Sequence, residues 1–187
     1  MIGDGTPVTN SANPSHTFSA SNGVPTRFVV TLTVTDSGSL SAQASLIVAA
    51  NDTPPNVTIT SPIDGALYSS SNSATVNLIA TVSDAESSTN QLLYQWQVLL
   101  HHNDHNHLFS TVTNHVSTAV ISPTGCDGIN LYYYRILLTV TDPTGLATTR
   151  EVRLFPDCGT NTPPTISASS FVIAAWRCLL NFSVSLS

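Results

Sequence analysis

The chain has 187 residues, 41% of them hydrophobic, enough to build a core, but only 9% charged, against roughly 25% in an ordinary soluble domain. Lysine is absent, and Arg27, Arg135, Arg150, Arg153 and Arg177 are scattered through a chain of net charge −6, which leaves no basic stripe for nucleic acid or an anionic membrane surface. The polar remainder is Ser, Thr and Asn, which suits β-strands and not the Glu-, Lys- and Ala-rich helices of a bundle; the apolar run 171–180 carries Arg177 and is too short to span a bilayer.

In chain order, the first elements are an alternating strand over Arg27–Thr35, a turn at Asp36–Ser39 and a strand over Leu40–Ala49. Residues 51–55, Asn-Asp-Thr-Pro-Pro, read as a stiff linker, since two prolines cannot join a ladder in mid-strand. Strands follow at 57–60, Val76–Val82 and Leu92–Leu100, with Ser61–Gly65 a turn and Ser83–Asn90 a polar loop. After a histidine-rich stretch come Ala119–Ile121 and a closing hairpin of Tyr132–Thr141 and Thr148–Phe155. No segment has a helical period, so the reading is an all-β antiparallel sandwich over residues 56–158, with Trp96, Leu138 and Val140 on its core face.

Two markers recur. Leu-Thr-Val-Thr-Asp occurs at Leu32–Asp36 and again at Leu138–Asp142, an offset of 106; Thr-Pro-Pro occurs at Thr53–Pro55 and again at Thr162–Pro164, an offset of 109. Two independent markers at nearly one spacing point to tandem modules of about a hundred residues. The expected organisation is a shortened module over 1–50, the linker 51–55, a complete sandwich over 56–158, and a linker with the start of a third module over 159–187.

The segments Gly3-Asp-Gly-Thr6, Pro14-Ser-His16 with Phe18, and Val30-Thr-Leu-Thr-Val-Thr-Asp36 resemble the PKD domain over about residues 3–48, without the strands that precede its Gly-Asp-Gly turn. Residues 56–155 resemble bacterial Ig-like modules through Pro55-Asn-Val-Thr-Ile-Thr-Ser-Pro62, Ala80-Thr-Val-Ser-Asp-Ala-Glu86 and Tyr94-Gln-Trp96. The segment Leu100–Phe109 with the later Tyr132-Tyr-Tyr-Arg-Ile136 looks like modules that trail some secreted bacterial sugar dehydrogenases. The resemblance implies tandem Ig-like modules that act as spacers, adhesion units or carbohydrate-binding accessories in secreted or cell-surface proteins. Met1-Ile-Gly-Asp4 is not the start of a secretory signal, so the expectation is a signal upstream in a longer polypeptide.

Few residues carry chemistry. His101, His102, His105 and His107 fall within seven residues, beside Asp104. Imidazoles at i and i+2 of a strand share a face and can bind zinc; the competing reading is a polar loop whose histidines bond to backbone. His101, His105 and His107 with Asp104 are the expected ligand set. Asp84, Glu86 and Asp142 end strands at one pole and can either bind calcium or cap turns. Cys126 and Cys158 bound the closing hairpin and are expected to be bridged, leaving Cys178 unassigned. Tyr133 and Arg135 alternate with the core residues of their strand and are the candidate glycan contacts. No catalytic arrangement stands out. The expected function is a non-catalytic extracellular spacer or adhesion module without a resident cofactor, whose partners are other domains of the polypeptide, polysaccharide or surface proteins. The alternatives are a carbohydrate-binding accessory of a secreted enzyme and a metal-binding module.

Overall fold

The computed structural model describes residues 3–6 and 10–159, so residue 160 onward, with Cys178 and the expected third module, lies outside the described residues. Ten strands and no helix make up the described part. No helix is long and apolar enough to cross a membrane.

β1 (Thr26–Thr35) and β2 (Ser41–Ala50) form a two-stranded antiparallel sheet. Asp36 closes the turn between them, its Oδ1 accepting the N–H groups of Gly38 (2.8 Å) and Leu40 (2.9 Å). Alternation puts Phe28, Val30, Leu32 and Val34 on one face, yet only Phe28 is buried, against Phe18 at 4.9 Å between ring centroids. Leu32 and Val34 stay 62% and 58% exposed, because no second sheet faces this pair among the described residues.

The sandwich spans β3 (Asn56–Ser61), β4 (Ala66–Ser69), β5 (Ala74–Ser83), β6 (Leu93–His102), β7 (His105–Val112), β8 (Ser117–Ile121), β9 (Tyr132–Thr141) and β10 (Ala147–Asp157). One sheet has the order β4-β10-β9-β6-β7 and the other β3-β5-β8. In the β6–β9 ladder Trp96 pairs with Leu138 and Tyr94 with Val140. Cross-strand partners share a face, so the alternation in both strands drives one side chain set inward; Trp96, Leu138 and Val140 are fully buried. Leu78 and Ile121 pack against them from the opposite sheet.

Two strands depart from the expected set. Ala66–Ser69 forms β4 and pairs parallel with β10, Leu154 opposite Ala66, so the sandwich is not purely antiparallel. The histidine-rich stretch is not a loop: it turns at Asn103-Asp104 and returns as β7, with His102 opposite His105. Asn103 takes the left-handed conformation (φ 53°), which asparagine tolerates better than most residues.

The repeated pentapeptide does the same work twice. Asp142, like Asp36, closes the turn after its strand, its Oδ1 accepting from the N–H groups of Thr144 (2.9 Å), Gly145 (2.8 Å) and Leu146 (2.9 Å). Asp36 is exposed, whereas Asp142 is buried. Cys126 and Cys158 are joined, with Cα atoms 5.3 Å apart.

Candidate functional site

Two clusters of candidate ligands emerge, at opposite ends of β6. The first is built on the linker. Asn51 reaches backward, its Nδ2 donating to the carbonyls of Ser21 (2.8 Å) and Val24 (3.2 Å). The next residues reach forward. Asp52 Oδ2 accepts from the Thr144 hydroxyl, and Thr53 donates both its N–H (3.2 Å) and its hydroxyl (2.9 Å) to Glu86 Oε2. Pro55 is fully buried in the sandwich. The linker read as stiff is therefore also tethered, Asn51 to the segment before it and Asp52 and Thr53 to the sandwich after it.

These contacts gather carboxylates. Asp52, Asp84 and Glu86 each offer an oxygen within 4.8 Å of the other two. Asp84 Oδ1 accepts the N–H groups of Glu86 (3.0 Å) and Ser87 (2.7 Å), which is turn capping. Its Oδ2 is buried with no hydrogen-bond partner, as is Asp52 Oδ1. Asp142 belongs to the same pole: its Oδ1 lies 2.9 Å from the Thr144 hydroxyl that also meets Asp52, and its Oδ2 is buried and unpartnered. Buried carboxylate oxygens without donors are costly unless a cation faces them. None of the four acids forms an ion pair among the described residues. The sequence pointed to Asp84, Glu86 and Asp142; the structure adds Asp52, and places Asp142 behind Thr144, outside the tight trio.

The second cluster sits at the tip of the β6–β7 hairpin. The register pairs His102 with His105 and with Tyr132, and Leu100 with His107, all on the inner face of the sheet. His101 pairs with Asn106 and Tyr133 on the outer face. A ring nitrogen from each of His102, His105 and His107 lies within 4.8 Å of the other two, and His102 Nε2 is 3.1 Å from His107 Nε2. His102 is half-buried; its partial desolvation, then the neighbouring His105 and His107, push its pKa below the ordinary histidine value.

This corrects the expected ligand set. His101 is turned away and both its ring nitrogens are engaged, Nδ1 with Asn106 Oδ1 (2.9 Å) and Nε2 with the Asn103 carbonyl (2.8 Å). His102 takes its place, because a two-residue turn puts His102, not His101, on the face of His105 and His107. Asp104 is not a member of the converging trio. It extends into solvent, 96% exposed, with Oδ1 3.0 Å from His105 Nδ1; that hydrogen bond, first, holds its carboxyl below the usual range.

Tyr133 and Arg135 face outward as expected, but not as a bare platform. The Tyr133 ring is stacked on His101 (4.2 Å), lies 5.5 Å below the Arg153 guanidinium, and touches Phe155. Arg135 and Arg153 share Glu151, whose carboxyl the hydrogen-bonded Arg135 pulls below its ordinary pKa. The ring expected to contact glycan thus packs against three neighbouring side chains.

At the chain's beginning, Asp4 accepts from Thr6 and meets His16 Nε2 at 2.6 Å, and His16 packs edge-on against Phe18. The Gly-Asp-Gly and Pro-Ser-His segments are thereby drawn together. No family model matches this chain, and no curated protein matches it.

Proposed function

We propose that this chain is a non-catalytic spacer of tandem β-modules, part of a secreted or cell-surface polypeptide, whose linker is held straight by calcium. The observation that carries the reading is the meeting of Asp52, a linker residue, with Asp84 and Glu86 of the sandwich, with two of the carboxylate oxygens buried and unpartnered. Calcium takes six to eight oxygens at flexible geometry and prefers carboxylates, so a partial shell from three acids completed by water or backbone carbonyls suits it. A cation bound there ties the linker to the loop after β5 and fixes the direction in which the preceding residues leave. The Cys126–Cys158 bridge agrees with an oxidising exterior.

Calorimetric titration of the whole chain with calcium tests this. The expected affinity is that of extracellular modules, about 10⁻⁴–10⁻³ M. Tenfold excess over Kd then adds about 1.4 kcal/mol to unfolding stability and slows proteolysis at the linker. Asp52→Asn and Asp84→Asn, which preserve shape, are expected to abolish both effects. A wild-type chain whose melting temperature and linker cleavage ignore calcium sinks the reading.

A further inference from the structure

We propose that His102, His105 and His107 form a zinc site on the hairpin tip, a three-imidazole set with its fourth position open to solvent. The site is separate from the carboxylate cluster and does not depend on the calcium reading.

The geometry is the argument. A tetrahedral zinc with bonds of 2.0–2.1 Å to imidazole sets its ligand nitrogens about 3.3 Å apart. His102 Nε2 and His107 Nε2 are already 3.1 Å apart, their rings nearly parallel at 13°, and a nitrogen of His105 lies within 4.8 Å of both. No ring flip to another strand face is needed, because the β6–β7 register places all three on one side.

The supporting residues are built in. Asp104 Oδ1 lies against His105 Nδ1, which leaves the opposite nitrogen, Nε2, to face a metal; a carboxylate on the far ring nitrogen is the usual outer partner of a zinc-bound histidine. Asn103 clamps the tip: its N–H donates to the Leu131 carbonyl (3.0 Å), its Nδ2 to Asn130 Oδ1 (2.8 Å), and its Oδ1 accepts from the Leu131 N–H (3.2 Å). The loop it grips is in turn pinned by Asp127, which accepts from Ile129 and Asn130, and begins at the bridged Cys126. The tip therefore gives up little freedom on binding. Three nitrogen donors of intermediate softness favour zinc over calcium, which takes oxygen. His105 and His107 are exposed, so the metal's fourth position faces water.

The test is titration of the full chain with zinc alone, by calorimetry, and with cobalt(II), whose visible absorption reports tetrahedral nitrogen coordination. The Asp52→Asn, Asp84→Asn background removes any contribution from the carboxylates. One equivalent is expected to bind, with the signal lost in His105→Ala, His107→Ala and in His102→Gln. It is expected to persist in His101→Ala, whose ring is on the other face, and to weaken about tenfold in Asp104→Ala, an outer-partner loss. Circular dichroism melts confirm that each variant is folded. Equal binding in wild type and the His105→Ala, His107→Ala variant overturns the site. So does loss in a folded His101→Ala equal to that in His102→Gln, or no binding to the wild type.

Discussion

The Thr144 hydroxyl meets Asp52, 92 residues earlier in the chain, while standing 2.9 Å from Asp142 Oδ1. One hydroxyl proton cannot serve two carboxylates, and the other oxygen of each acid is buried without a donor. The pole of the sandwich is therefore short of positive charge, and the cost is set by which acids keep a capping role of their own.

Asp142 has such a role, and a truncation and an isosteric replacement separate the contributions. Asp142→Ala leaves the N–H groups of Thr144, Gly145 and Leu146 without their shared acceptor and is expected to cost about 3 kcal/mol. Asp142→Asn keeps an oxygen for them and removes a charge, so in calcium-free buffer it is expected to cost under about 1 kcal/mol. Chemical denaturation of both variants checks this; equal losses would mean that charge, not capping, is what the position supplies.

Trp96 is fully buried and its Nε1 has no partner. Removing an orphaned N–H regains part of its desolvation penalty, about 1–3 kcal/mol. Trp96→Phe is accordingly expected to cost about 1 kcal/mol, and Trp96→Ala about 3–5 kcal/mol. Urea midpoints at unchanged slope are the measurement.

The Cys126–Cys158 bridge spans 32 residues. Opening it with a Cys126→Ser, Cys158→Ser pair is expected to lower stability by about 3–4 kcal/mol on chain-entropy grounds. Mass spectrometry of non-reduced peptides identifies the bridge, and denaturation with and without reductant gives the loss.

Asp4 is held down to about 2, first by the Thr6 hydroxyl and then by His16, against an ordinary value of 3.8. A carboxyl depressed on folding stabilises above its unfolded pKa, and that contribution fades as pH falls from about 3.8 through about 2. Carboxyl-carbon NMR should place the Asp4 midpoint near the lower value, and Thr6→Ala should raise it. A midpoint near 3.8 in the wild type would count against the contact.

How much of this was legible differs by element. The Tyr94–Leu100 and Tyr134–Val140 alternations carried β6 and β9, because period-two burial is a local signal. β4 carried none: it has four residues, and its ladder among the described residues is to β10, some 88 positions on. For the histidines, spacing gave the shared face of His105 and His107, but the third member depends on turn length. Asn103-Asp104 was a readable turn signal; once it is taken as a two-residue turn, parity selects His102. Asp52 stayed hidden because a linker's hydrogen bonds, to Thr144 here, are non-local.

The parallel contact of β4 with β10 has a mechanical meaning. The chain enters the sandwich at β3, just ahead of β4, and leaves it at the end of β10. Tension along the polypeptide pulls β4 and β10 in opposite directions along their common axis. The Ala66–Leu154 to Ser69–Asp157 pairs, with Gly65 N–H on the Arg153 carbonyl and Ser70 Oγ on the Asp157 carbonyl, are then sheared together and not peeled one at a time. Cys158, at the same exit, passes part of the pull to Cys126. A sandwich wired this way meets a pull at its ends with the β3–β5 ladder and the β4–β10 seam, which stand between the load and the middle strands.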